Sequence, residues 1–274
     1  MEMIQVPALE QKITVGNVKV SYNDLGDSEI PLIFIHGFPL NKSSWAPQME
    51  YFKTTNRVIS YDIRGFGSSS SNSDPVSMSM FADDLIKFMD ALSIKQAIVC
   101  GLSMGGYILL NAVYSYPERF KAIILSDTQC IADSILIKEK RNKSISQIIE
   151  GKITDYAETS LKSLLSPRIF ESDKRLIETV KSMIVSNNPS IITSTLMALA
   201  KRIGMCLSLS NIKVPTLVVC GAEDVITPVI QSEFLANHIV GSKIKILEKA
   251  GHLSNLEQPK LFNDAVEQFI SQLD

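Results

Sequence analysis

The 274 residues carry 27 Lys and Arg against 29 Asp and Glu, a formal net charge of -2, with 45% hydrophobic and 20% charged residues. That balance, without a long run of one sign, argues against a nucleic-acid partner, and no apolar stretch reaches the ~18 residues that span a bilayer. The apolar fraction is ample for one large core, and α/β folds of ~250 residues often form a single unit.

The opening MEMIQVPALEQK has no basic segment followed by an apolar one, so no secretion signal is read there and the chain is expected to be soluble and cytoplasmic. Next comes a hairpin, with KITV and VKVSY alternating around Gly16-Asn17. PLIFI (31–35) is a continuous apolar run that stops at His36-Gly37, as a central strand would. A short helix is expected over Ser44–Lys53, then a strand over RVISYDI (57–63), which ends in the serine-rich loop Arg64–Asp74. Met78–Leu92 has the apolar spacing of an amphipathic helix through Phe81, Leu85, Phe88, Met89 and Leu92.

From Ala97 the order is regular: AIVC as a strand, a helix after Ser103, and KAIIL (121–125) as a strand. It resumes with TLVVC (216–220), a helix over Pro228–Val240, a strand over Lys243–Leu247 and a helix over Pro259–Leu273. Apolar strands alternating with helices define an α/β fold, a mostly parallel sheet with helices on both faces. Residues 131–210 break the alternation, with helical spacing and no core strand. They are read as a helical cap inserted into a core made of 1–130 and 211–274. Of the four cysteines, Cys100 and Cys220 fall in strand-like runs as buried thiols, and Cys130 and Cys206 have no metal-ligand spacing.

The chemistry concentrates at strand carboxyl ends, where α/β sheets bind ligands. Gly101-Leu102-Ser103-Met104-Gly105 sits between a strand and a helix, so Ser103 stands on a sharp turn with glycine two places either side. The helix that follows points its positive N-terminus at this serine. An activated serine needs a base, and the base needs an orienting group. Among three histidines, His252 lies in a loop after a strand and late in the chain. His238 reads as a helix-end surface residue, and His36 as a residue shaping the turn after PLIFI. For the acid, Asp224 follows TLVVC and precedes His252, with Asp127 and Glu223 as rivals. Asp62 and Arg64 are read as organisers of the RGFGSSS loop, and Trp45 as a packing anchor. A carbonyl under attack needs two backbone donors for its oxyanion. Met104 N–H and Phe38 N–H are the candidates, and both side chains could line the substrate pocket.

Together HGFP (36–39), GLSMGG (101–106), GAEDVITP (221–228) and GHLSNLEQP (251–259) resemble the α/β-hydrolase family, closest to its small bacterial carboxylesterases and 3-oxoadipate enol-lactonases. The resemblance implies a triad of Ser103, Asp224 and His252, a small ester or lactone as substrate, and no metal or organic cofactor. Serine at the elbow separates the chain from the dehalogenase and epoxide-hydrolase branches, which carry aspartate there. A lactonase of dianionic substrates should show cationic cap residues. Lys138, Lys140, Arg141, Lys143, Arg168 and Arg175 are candidates, although a solvated helix face explains them equally well. The alternative chemistry for the same triad is carbon–carbon bond hydrolysis or a lyase reaction, and the remaining alternative is a non-catalytic ligand receptor.

Overall fold

The computed structural model describes residues 10–72 and 75–273. Residues 1–9, read for a leader, and Ser73-Asp74 at the end of the serine-rich loop lie outside the described residues. The eight strands are β1 (Gln11–Val15), β2 (Val18–Leu25), β3 (Leu32–Ile35), β4 (Val58–Tyr61), β5 (Ala97–Leu102), β6 (Phe120–Ser126), β7 (Thr216–Gly221) and β8 (Lys243–Leu247). They form one sheet in the order β1-β2-β4-β3-β5-β6-β7-β8. The β1–β2 and β2–β4 pairs are antiparallel and every other pair is parallel.

Every residue of β3, β4, β5 and β7 is buried. Because successive strand residues face opposite sides, such strands must be covered on both faces. The cover comes from α1 (Ala46–Phe52), α2 (Met78–Ala91), α3 (Met104–Ser115), α9 (Val229–His238) and α11 (Pro259–Ile270). Of these, α2 packs on α3 and α1 on α11. Trp45 is fully buried, stacked on Phe34 with centroids 4.7 Å apart and 5.8 Å from Phe262, the anchoring role expected of it. At the sheet edge β8 is largely exposed, its KIKIL pattern carrying lysines that blunt edge pairing.

Departures from the expected elements are small and local. The helix expected from Ser44 is a 3-10 turn (Lys42–Trp45) running into α1, where Asn41 caps the turn and Pro47 is preorganised for the first helical turn. A one-turn helix, α10 (Ser254–Glu257), lies between His252 and α11 and has too few residues to show a period.

Between β6 and β7 run α4 (Ile135–Ile149), α5 (Ile153–Leu164), α6 (Ile169–Ser172), α7 (Lys174–Val185) and α8 (Pro189–Lys201), followed by a 3-10 turn (Cys206–Asn211). Ser134, Asp173 and Asn188 accept backbone N–H bonds as N-caps of α4, α7 and α8. Within this insertion α4 packs on α8 and α5 on α7. Cys130 and Cys206 form a disulfide across 76 residues, closing the insertion at its base. Nothing in their spacing announces this bond. It weighs against the cytoplasmic expectation, because disulfides persist mainly in oxidising compartments. Cys100 and Cys220 are free and buried. Among the described residues no helix is long and apolar enough to cross a membrane.

Strand order places the motifs together. From β3 the chain steps to β4 on one side, then returns to β5 on the other. The order therefore reverses between β3 and β5, where α/β sheets open a crevice beyond their carboxyl ends. His36-Gly37-Phe38 follows β3 and Ser103 follows β5 at that crevice.

Candidate active site

Ser103 joins β5 directly to α3 with φ 53° and ψ -110°, a conformation that costs an L-residue about 1–3 kcal/mol and needs surrounding support. That support is on both sides of the peptide. Its N–H donates to Ser126 carbonyl at 2.9 Å, and its carbonyl accepts from Thr128 Oγ1 at 2.8 Å. The flanking glycines have a steric reason. A Cβ on Gly101 would run into the Gly105 carbonyl, and one on Gly105 would lie 2.5 Å from the Ile35 carbonyl oxygen.

Ser103 Oγ lies 2.8 Å from His252 Nε2, and His252 Nδ1 lies 2.8 Å from Asp224 Oδ2. If Nδ1–H donates to the carboxylate, Nε2 carries a free lone pair toward the serine hydroxyl. All three side chains are nearly buried. The Asp224 carboxylate is tied down by the N–H groups of Ile226 and Thr227 at 2.8 and 3.0 Å and by Thr227 Oγ1 at 2.6 Å. Burial opposes its charge. The His252 charge and hydrogen bond, with the hydrogen bonds from Thr227, outweigh burial and hold the carboxyl below its ordinary range. Burial likewise opposes a charged His252, but the Asp224 carboxylate raises its pKa above the ordinary 6.5.

The rival groups lie elsewhere. Asp127 accepts from Gly221 N–H at 2.8 Å, Ser126 Oγ at 2.8 Å and Ser254 Oγ at 2.5 Å, tying β6 to β7 and to α10. Burial, then the Asp224 charge, pushes it up to about 7. Glu223 is exposed. His238 is exposed at the end of α9, its Nδ1 2.8 Å from the Phe234 carbonyl. His36 is fully buried, with Nδ1 3.0 Å from the Gly37 carbonyl and Nε2 accepting from Ile63 N–H at 3.0 Å. Burial drives its pKa down to about 4, so it serves as a neutral brace between the loops after β3 and β4.

Met104 opens α3, and Phe38 lies in the loop after β3. Among the described residues, neither backbone N–H is engaged by an acceptor within the protein. The Phe38 loop is pinned from the insertion. Asn187 Nδ2 donates to Pro39 carbonyl at 2.8 Å, while its Oδ1 accepts from Gly67 N–H at 2.7 Å. Asp62 and Arg64 organise the adjacent loop as expected. Asp62 accepts from Lys42 Nζ and Ser68 N–H at 2.7 and 2.9 Å, and Arg64 forks onto Asp84 at 2.7 Å. Asn187, Thr128 and Thr227 escaped the sequence reading. Only Thr227 left a local sign, following Asp224 by three and preceding Pro228, as in a turn that leads into a helix.

Ser103, His252, Phe38 and Met104 line one cavity of about 780 Å³, roofed by residues of α4, α5 and α8. Of the six cationic candidates, Lys140, Arg141 and Lys143 line it, whereas Lys138, Arg168 and Arg175 do not. Arg141 is held by Asp133 at 2.5 Å. Lys140 and Lys143 are exposed one helical turn apart.

The α/β-hydrolase-fold family model matches residues 30–259, and the chain belongs to that family. It is 33% identical to 3-oxoadipate enol-lactonase 2 of Acinetobacter baylyi over 93% of this chain and 94% of that one. A thermophilic esterase from Thermogutta terrifontis, solved with malate bound, superposes with a TM-score of 0.92 at 30% identity, covering 97% of this chain and 99% of that one. A 2-hydroxymuconate semialdehyde hydrolase of Pseudomonas is 27% identical over 98% and 96% of the two chains.

Proposed function

We propose that this protein hydrolyses a small carboxylic ester or lactone through an acyl-enzyme on Ser103. The ester-hydrolase class is supported by the family and by the lactonase and esterase relatives. The mechanism rests above all on one observation, the unbroken chain Ser103 Oγ–His252–Asp224 with both links at 2.8 Å.

In this reading His252 Nε2 takes the Ser103 proton as Oγ bonds to the substrate carbonyl carbon. Asp224 keeps Nδ1 protonated and stabilises the imidazolium. The N–H groups of Phe38 and Met104 receive the oxyanion, each donor worth ~10²–10³ in turnover. His252 then gives its proton to the departing alkoxide oxygen, leaving an ester on Ser103. Water, deprotonated by the same nitrogen, cleaves that ester and returns the proton to Oγ. The insertion 131–210 acts as the cap, carrying Lys140 and Lys143 at the cavity wall as attraction for an anionic substrate group. A second reading, carbon–carbon hydrolysis, is favoured by the relative named for a semialdehyde rather than an ester.

Phosphonate trapping followed by peptide mapping tests the nucleophile, and a panel of neutral esters, anionic enol-lactones and vinylogous diketones tests the substrate class. Label on Ser103, with esters or lactones preferred, is the expected result. Turnover by Ser103→Ala near that of the parent would overturn the mechanism, which expects a loss of ~10⁶.

A further inference from the structure

Beside the catalytic cavity lies a second one of about 660 Å³, and the two share Tyr107 and Gln129 as lining. Tyr107 stands one helical turn after Ser103 on α3 and is 7% exposed. Gln129 Nε2 donates to its Oη at 3.5 Å. The Arg202 guanidinium lies 4.3 Å from its ring centroid, a cation–π contact that holds the ring in place. Arg202 is itself fixed by Asp133 at 2.5 Å and by the Leu199 and Ile131 carbonyls at 2.9 and 3.0 Å. Asp133 lines the catalytic cavity and Arg202 the second one, so their ion pair continues the partition. Helix α8 does the same, turning Leu196 and Leu199 to the catalytic side and Met197 and Ala198 to the other. One layer of side chains thus separates the two spaces, and the far one has an apolar floor that includes Leu110, Ala198 and Met205 under a polar rim with Asn111, Ser194 and Lys201.

We propose that Tyr107 is the specificity-determining residue that limits substrate length, closing the catalytic cavity against a second cavity whose apolar floor can take the distal part of a longer acyl chain. This rests on the ester-hydrolase reading above. A side chain four residues after the nucleophile is placed to stop an acyl chain growing away from the carbonyl carbon. Beyond it lies space rather than packed core, so removing the ring would lengthen the pocket instead of only hollowing the wall.

The test is kcat/KM for p-nitrophenyl esters from acetyl to dodecanoyl. The unaltered enzyme should favour short chains, with a fall-off along the series. Tyr107→Ala should raise the ratio of decanoyl to acetyl rates by ~60-fold, from three further methylenes at about fourfold each. Tyr107→Phe keeps the ring and should leave the ratio where it was, separating a steric wall from the Gln129 bond. Adding Ala198→Phe to Tyr107→Ala puts a ring into the second cavity and should reduce the gain. If Tyr107→Ala does not fold, Tyr107→Leu carries the same expected sign. An unchanged ratio in the truncated enzyme, or an unaltered enzyme without fall-off, would overturn the proposal. Absence of acetyl-ester turnover by the unaltered enzyme strikes instead at the hydrolase reading on which it rests.

Discussion

Asn187 Nδ2 donates to the Pro39 carbonyl across 2.8 Å, so a residue just beyond α7 of the insertion holds the loop that carries Phe38. The same amide also donates to Met183 carbonyl at 2.9 Å, and its oxygen takes Gly67 N–H at 2.7 Å. Asn187 is 3% exposed, so no water readily replaces it.

Asn187→Ala leaves the buried Pro39 carbonyl without this donor and the Gly67 N–H without its acceptor, while Met183 carbonyl keeps Ser186 Oγ, and should lower stability by about 1–3 kcal/mol, read by denaturant unfolding. Its kinetic signature should be a fall in kcat, bounded by the ~10²–10³ loss for a missing oxyanion donor, with KM little changed. Such a split arises when a donor engaged only in the transition state loses its aim. A rise in KM with kcat intact would show instead that Asn187 shapes substrate binding.

Much of this site was legible because strand ends can be read from short apolar runs. Ser103 and Asp224 each follow such a run by a few residues, His252 follows the alternating strand KIKIL, and parallel pairing brings those ends to one edge. Chain order favoured Asp224 over Asp127, but the physical reason lies in the coordinates. Both follow strands, and only the Asx-type turn through Thr227 aims the former at His252 while Ser254 and Gly221 engage the latter. Asn187 and Tyr107 were out of reach for another reason. Their partners lie 148 and 22 residues away, and neither spacing follows a helix or strand period. The inward face of α4 was illegible too, since this helix is weakly amphipathic and nearly all exposed, with Ile148 as its buried residue.

In the proposed mechanism the His252 ionisation sets the pH dependence. Asp224 raises its pKa above 6.5 against the effect of burial, and the neutral ring is the base that mechanism requires. Activity should therefore fall as pH drops through a midpoint above 6.5, measured as kcat/KM on a neutral ester. Asp224→Asn removes the charge that raises the midpoint, so the acid limb should move to lower pH while the plateau falls by ~10⁴. The stability sign is opposite. A raised folded pKa contributes stability below 6.5 and loses it as pH climbs through the folded value, where the enzyme becomes active. An acid limb that does not move in Asp224→Asn would detach that carboxylate from the histidine.

The Cys130–Cys206 bond closes the insertion at the points where the chain leaves and rejoins the sheet region. Restricting a loop of 76 residues in the unfolded chain is worth at most about 4.5 kcal/mol by chain entropy. For a protein of this length, that corresponds to a fall in melting temperature of roughly 10 °C on reduction. The bond also sits against the wall of the second cavity, where Cys130 is part of the lining and its carbonyl accepts Met205 N–H at 2.7 Å. Reduction should therefore loosen that wall before it disturbs Ser103, which the sheet holds through Ser126. The Cys130→Ser/Cys206→Ser variant should melt like the reduced parent and ignore reductant, while keeping most of its turnover of short esters. Identical melts of oxidised and reduced parent would remove the bond from the stability of the fold.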